Sequence, residues 1–159
     1  MGTYTFMESG LTTVKVPTTV TSLDDAVFKG AKNFKTIELH NGVSTFDTVS
    51  PFEGSGLESI TIPESPTKIP NNLFKDCANL VEVVLHENVN RIDAGAFANC
   101  NKLNLTIPGY ITDFSNAFTG WTANQSITFT NYYREFSAWG ETWKQECNAR
   151  IIYAKKTNE

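Results

Sequence analysis

The chain has 159 residues, 40% of them hydrophobic, and a formal net charge of −4. This length and composition predict one folded domain with a sizeable core and exclude extensive disorder. Because the sequence pI is near 5.2 and Lys and Arg do not cluster, nucleic acid is not expected as a partner. No apolar run approaches the roughly 20 residues that span a bilayer, so membrane insertion is not expected either.

The first predicted elements are short strands that open a repeated unit. Each unit begins with an alternating segment such as LTTVKV or LESITI, and this period of two is typical of a half-buried strand. A strand of six residues cannot bury its apolar face alone, so successive units are expected to stack and form a parallel sheet. The segments begin 23 residues apart, at Leu11, Phe34, Leu57, Leu80 and Leu103.

The outward side chains of these strands form the candidate binding site. Their register predicts three columns on a rigid sheet, in which Lys15 and Glu38 are neighbours across strands. The columns contain no Trp, Tyr or Arg, the residue types that dominate interface energetics, so weak or multivalent protein binding is predicted. The predicted columns are Lys15, Glu38, Thr61, Val84 and Thr106; Thr13, Thr36, Ser59 and Glu82; and Thr12, Lys35, Glu58 and Val81.

The second half of each unit returns the chain to the next strand. Its apolar residues are spaced three and four apart in segments such as DAGAFANC, which predicts a short helix or 3₁₀ turn. A Phe recurs in these segments and is followed, three residues later, by a small residue or finally by Trp121. The Phe series is Phe6, Phe28, Phe52, Phe74, Phe97 and Phe118, and the small residues are Ser9, Ala31, Ser55, Cys77 and Cys100.

The repeat ends near residue 130, so residues 1–130 are interpreted as the repeats and 131–159 as a capping helix and strand. Aromatic residues at helical spacing predict the helix, and ARIIYA predicts the last strand. An alternative interpretation of the same end is a carbohydrate platform on Trp139 and Trp143. The aromatic residues concerned are Tyr132, Phe136, Trp139 and Trp143.

The first strand is expected to present an open sheet edge that permits self-association. Tyr4 to Phe6 resembles the end of an earlier unit with no polar cap before it, so the chain is expected to be a portion of a longer protein.

The spacing of the histidines and cysteines does not predict a catalytic or metal site. His40 and His86 share one repeat position two units apart, or about 9–10 Å, and are expected to be solvent-facing turn residues in a slot that Pro63 fills between them. Cys77 and Cys100 fall near 5 Å apart, within disulfide range, but free thiols are favoured because Ser or Ala fills the slot elsewhere. Cys147 is expected to pack in the capping helix.

No catalytic, metal or cofactor constellation is recognised, so the sequence predicts a protein that is not an enzyme. The three-residue spacing of Pro63 and Pro66, extended by Pro70, could serve as a polyproline ligand, but its register favours turn structure.

The full repeat resembles a known family. The segments LESITIPESPTKIPNNLFKDCANL and LVEVVLHENVNRIDAGAFANCNKL are similar to the BspA-type leucine-rich repeats of bacterial surface proteins and some protozoan parasites. The resemblance implies a right-handed leucine-rich-repeat solenoid of about six coils with a C-terminal aromatic cap.

The same resemblance implies a secreted or cell-surface protein that mediates adhesion to host or neighbouring-cell proteins. The competing hypothesis is a structural spacer or capping portion of a longer repeat protein with no ligand of its own. Fold alone does not decide between them.

Overall fold

The structure is a parallel-strand solenoid, in which each unit contributes a short strand to one side and a return segment to the other. A computed structural model of the chain describes residues 2–46, 50–114, 116–130 and 147–153. The strands on the main side are β1 (Thr13–Lys15), β3 (Thr36–Glu38), β5 (Ser59–Thr61), β7 (Glu82–Val84), β9 (Leu105–Ile107), β10 (Ser126–Phe129) and β11 (Arg150–Tyr153). Those on the return side are β2 (Ser22–Leu23), β4 (Thr45–Phe46), β6 (Lys68–Ile69) and β8 (Arg91–Ile92).

The main side is a parallel sheet in the predicted register. β1, β3, β5 and β7 pair in that order, and β9, β10 and β11 pair beyond them, with β9 beside β7. Val14 lies opposite Ile37, and Ile60 opposite Val83, as the 23-residue period requires. Strands this short bury their apolar faces only by stacking in this way. The prediction of a last strand in ARIIYA is also confirmed, because β11 pairs parallel with β10.

The return segments differ from the predicted helical turns. Among the described residues they consist of turns and two-residue strands, and no helix occurs. Asn72 and Asp76 have φ angles of +53° and +59°, which an α-helix does not accommodate. Their backbone N–H groups donate instead to Ala94 and Ala98 of the next coil, at 3.1 and 2.9 Å. Hydrogen bonding between coils therefore replaces hydrogen bonding within a helix.

A ladder of stacked phenylalanine rings runs through the core. All its members except Phe6 are fully buried, and each ring lies nearly parallel to the next. The centroid distances between successive rings range from 5.4 Å for Phe6 and Phe28 to 5.8 Å for Phe97 and Phe118. These distances are typical of stacked aromatic pairs. The ladder confirms that the Phe series repeats in space as it does in sequence.

The region after residue 130 is described only in part. The predicted capping helix and its aromatic residues lie in 131–146, outside the described residues, so the helix and the boundary at residue 130 stay predictions. The placement of Cys147 in that helix is wrong. Cys147 is in a backbone bridge to Trp121, and the N–H of Asn148 donates to the Trp121 carbonyl at 3.0 Å. Pairing with the preceding coil fixes this backbone as extended.

The first coil carries the free edge of the sheet. β1 pairs with β3 alone among the described strands, so its other edge is open, as predicted. The residues before it pack on the return side, where the N–H of Phe6 donates to the carbonyl of Val27 at 2.8 Å. No helix in the described part of the chain is long and apolar enough to cross a membrane.

Candidate protein-binding face

The outward side chains of the sheet form the predicted columns. Lys15 lies opposite Glu38, and Thr61 opposite Val84, in the ladder of hydrogen-bonded strands. In the column nearest the strand starts, the backbone N–H of Lys35 donates to the Thr12 carbonyl at 2.8 Å. We call these residues the outward face; all are exposed except Glu58 and Ser59, which are half-buried. The outward face comprises Thr12, Thr13, Lys15, Lys35, Thr36, Glu38, Glu58, Ser59, Thr61, Val81, Glu82, Val84 and Thr106.

Two ion pairs join neighbouring strands on the outward face. The Nζ atom of Lys15 lies 2.8 Å from Oε1 of Glu38, and that of Lys35 lies 3.1 Å from Oε1 of Glu58. The four side chains are 45% to 77% exposed, so each pair contributes at most about 1 kcal/mol to stability. Their effect is to neutralise the outward-face charges of the first three coils. Glu82, further along the face, forms no ion pair with any described residue.

The outward face is shallow and changes character along its length. A depression of about 480 Å³ lies between β1 and β3, and the outward side chains that line it are Thr13, Lys15, Thr36, Glu38 and Thr61. A second, of about 280 Å³, lies further along and is lined by Val81, Val84 and Pro108 among others. The first half is therefore polar, whereas the second half includes exposed apolar side chains. Both depressions open to solvent and can accept side chains of a partner.

The histidines hold the turns after the strands. The Nε2 atom of His40 lies 3.0 Å from the Pro17 carbonyl oxygen, and Nδ1 accepts from the Gly42 N–H at 3.0 Å. His86 repeats the arrangement with the Pro63 carbonyl and the Asn88 N–H. Both residues are half-buried rather than fully solvent-facing, because each ring bridges two backbone groups. Both histidines occupy the repeat position that Pro63 holds, as expected. The hydrogen bonds from each ring to two backbone groups were not predicted from the sequence.

The cysteines are free thiols inside the coil, as predicted. The Sγ atom of Cys77 donates to the Phe52 carbonyl, and that of Cys100 to the Phe74 carbonyl, both at 3.0 Å. Burial raises the pKa of the Cys77 thiol to about 11 and also raises the pKa values of Cys100 and Cys147. The nucleophilic form is the thiolate, so these residues are packing groups at neutral pH.

The remaining motifs also have structural roles. Pro63, Pro66 and Pro70 are buried in the turns around β6, so they are not available as a polyproline ligand, and turn structure is confirmed. Within the described ranges, no group of three His, Cys, Asp or Glu residues is placed to hold a metal ion.

Comparisons with known proteins agree with this architecture. The family model of the BspA type leucine rich repeat region matches residues 1–123 in six copies. The fold is similar to the crystal structure of a leucine-rich repeat protein from Bacteroides ovatus ATCC 8483, with 19% sequence identity and a TM-score of 0.71. The similarity covers 97% of this chain and 45% of that one, so this chain spans less than half of that protein's length. No curated protein matches the sequence.

Proposed function

Because the chain belongs to the BspA-type leucine-rich repeat family, whose repeats generally serve as protein-interaction modules, we propose that it is a non-catalytic binding module. Its partner is a protein of a host or neighbouring cell, and the module works as a secreted or cell-surface adhesion element. The observation that carries the proposal is the outward face, in which Lys15 lies opposite Glu38 and Thr61 opposite Val84 on four strands that pair in order.

The geometry of the outward face supports a protein ligand over a small molecule. Its side chains are aligned across successive strands, and the backbone beneath them is fixed by the ladder between coils. Such a surface is rigid before it binds, so little conformational entropy is lost on association. The face presents Thr, Glu, Lys and Val and lacks the aromatic anchors of tight interfaces. We therefore expect modest affinity that is increased by multivalent display.

The test is binding of the full chain to immobilised extracellular-matrix and cell-surface proteins, followed by charge reversal on the face. The variant Glu38→Lys, Glu58→Lys and Glu82→Lys changes three outward positions. A control variant adds the same number of lysines on exposed turns before the strands, with half the change in net charge: Asn33→Lys, Ala78→Lys and Asn101→Lys. The proposal expects the first variant to lose the partner and the second to keep it. Unchanged affinity of the first variant would exclude the outward face.

A second candidate is a structural role as a spacer or cap within a longer repeat protein. It is favoured by the first coil, where Tyr4, Met7 and Leu11 are exposed and one edge of β1 is open. Apolar side chains and unpaired strand edges at that end favour pairing with further backbone. Light scattering separates the two roles. A monomer that retains a specific partner supports the binding module, whereas an inert chain, or one that multimerises through β1, supports the spacer.

A further inference from the structure

We propose that the partner docks on one defined patch of the solenoid and that the docking segment carries basic side chains next to apolar ones. The docking patch consists of Val81, Val84 and Tyr110 together with the acidic residues Glu64, Glu82 and Glu87. It covers the second half of the outward face and continues around the edge where the strands end. This inference rests on the proposed function and adds the location and the chemistry of the occupant.

The apolar part of the docking patch is exposed to solvent. Val81, Val84 and Tyr110 are 53%, 44% and 49% exposed. The other large apolar residues that are exposed in the described part of the chain lie in the first coil or in β11, where the described stack of coils ends. Exposed apolar groups that cluster within a structure mark interaction sites more often than isolated ones do.

Val84 and Tyr110 differ from the polar residues that preceding coils have at the same repeat positions. The position of Val84 is filled by Thr61 in the preceding coil, and that of Tyr110 by Ser65 and Asn88 in the two preceding coils. The solenoid thus folds with a polar residue at each of these positions elsewhere in the same chain. The fold therefore does not require an apolar residue at either position.

The two parts of the docking patch are continuous. Val81, Val84, Leu85 and Pro108 line the depression of about 280 Å³ on the sheet side. A neighbouring depression of about 550 Å³ on the edge is lined by Glu64, Glu87, Asn88, Asn90 and Tyr110 among others. The chain passes from Leu85 to Glu87, and from Pro108 to Tyr110, within two residues, so these turns connect the linings of the two depressions. An extended segment crossing the turns contacts both.

The charge of the docking patch specifies its occupant. Glu64 and Glu87 hold the same repeat position in adjacent coils, 23 residues apart, and Glu82 lies next to Val81. Within the described residues none of these three carboxylates forms an ion pair, whereas Glu38 and Glu58 each pair with a lysine. An approaching Lys or Arg therefore meets uncompensated negative charge at the patch and neutralised charge elsewhere on the face. Such complementarity steers association and selects partners.

The edge of the docking patch is held in place before binding. The Nδ2 atom of Asn88 donates to the Glu64 carbonyl at 3.3 Å, and the Thr112 hydroxyl donates to the Asn90 carbonyl at 3.0 Å. These bonds join three successive coils beneath the acidic side chains. A preorganised surface loses less entropy when a segment docks on it.

The test uses a phage-displayed library of random 12-residue peptides, selected on the immobilised full chain. The proposal expects enriched sequences in which Lys or Arg stands next to Leu, Ile, Val or an aromatic residue. Synthetic peptides of those sequences should bind at least tenfold more weakly to the variant Val81→Thr, Val84→Thr, Tyr110→Ser. A similar loss is expected for Glu64→Gln, Glu82→Gln, Glu87→Gln, and binding to the wild type should weaken as NaCl is added.

The matched control is Tyr4→Ser, which removes an exposed tyrosine from the first coil and should leave peptide binding unchanged. Melting temperatures of all variants should stay close to that of the wild type, since each replacement is exposed or occurs at the same position of another coil. Selection of no specific peptide, selection of acidic peptides, or affinity insensitive to the patch variants would overturn the proposal. If a protein partner is lost on Glu38→Lys and Glu58→Lys but retained by the patch variants, this inference fails while the proposed function stands.

Discussion

The indole Nε1 of Trp121 donates a hydrogen bond to the carbonyl oxygen of Phe97 at 2.8 Å. Trp121 holds the repeat position that Cys77 and Cys100 hold in earlier coils, and both thiols donate to the Phe carbonyl of the coil before them. One position in the repeat therefore supplies a donor to the backbone that carries the phenylalanine ladder. A large indole performs this role in one coil and a small thiol in two others.

Replacing Trp121 by Phe should lower the free energy of unfolding, because the Phe97 carbonyl loses its hydrogen bond from the indole. The variant keeps an aromatic ring but removes the indole donor to the Phe97 oxygen, which still accepts from the Cys100 N–H at 3.2 Å. The loss of one hydrogen bond should cost about 0.5–1.5 kcal/mol in addition to the smaller ring volume. Urea unfolding of the two proteins measures the difference. An unfolding midpoint equal to that of the wild type would show that the indole bond does not stabilise the coil.

Truncating the phenylalanine ladder should have a larger effect. Phe97→Ala removes a fully buried ring between Phe74 and Phe118 and should cost about 3–5 kcal/mol. Lys15→Ala is the surface control and should change the free energy of unfolding by no more than about 1 kcal/mol. Thermal melts measure both. A shift of only a degree or two for Phe97→Ala would mean that the ladder is not the core.

The buried thiol of Cys77 should make stability fall at high pH. Its pKa in the folded chain is raised to about 11 from an ordinary value of 9.0, because burial disfavours the thiolate. The unfolded chain therefore loses this proton first, and the stabilisation is complete below pH 9 and is lost as the pH rises through 11. Unfolding midpoints of the wild type and Cys77→Ser, measured from pH 7 to 11, test this. The serine variant should lose less stability over that range, and parallel curves would contradict the assignment.

The imidazole bridge of His86 should stabilise the turn after β7. His86→Ala removes the contact with the Pro63 carbonyl and the acceptor of the Asn88 N–H. Two hydrogen bonds of ordinary strength amount to about 1–2 kcal/mol. Denaturant unfolding measures the loss, and His40→Ala provides a matched comparison at the same position two coils earlier. If neither variant differs from the wild type, the rings do not stabilise the turns.

The 23-residue period was sufficient to predict the sheet and the columns of the outward face. The period places Lys15 opposite Glu38, and the structure joins their charged atoms at 2.8 Å. The register of the strands can be predicted from the sequence because inward and outward side chains alternate strictly in a half-buried strand. The slot that contains Cys77 and Cys100 was also readable, since small residues recur there.

The return segments could not be predicted in the same way. Apolar spacings of three and four fit a helix and a stack of turns equally well, and the decision depends on backbone hydrogen bonds to a neighbouring coil. Gly95 and Asn99 adopt φ angles of +69° and +60°, and the Asn99 N–H donates to the Thr119 carbonyl of the next coil. The bridges made by His40 and His86 were missed for a similar reason, because their partners lie in another coil or in the ring's own turn. The docking patch became visible only when exposure and pairing of individual side chains were known.

The most direct test of the binding module is carboxyl footprinting of the chain with and without its first identified protein partner. Carbodiimide coupling labels accessible Asp and Glu side chains, and the two states are compared residue by residue by mass spectrometry. A partner on the outward face should protect carboxylates among Glu38, Glu58 and Glu82, with Glu82 protected first because the docking patch includes it, and should leave the labelling of Glu8 and Asp76 on the return side unchanged. Protection of Glu8 and Asp76 with full labelling of the outward face would contradict it.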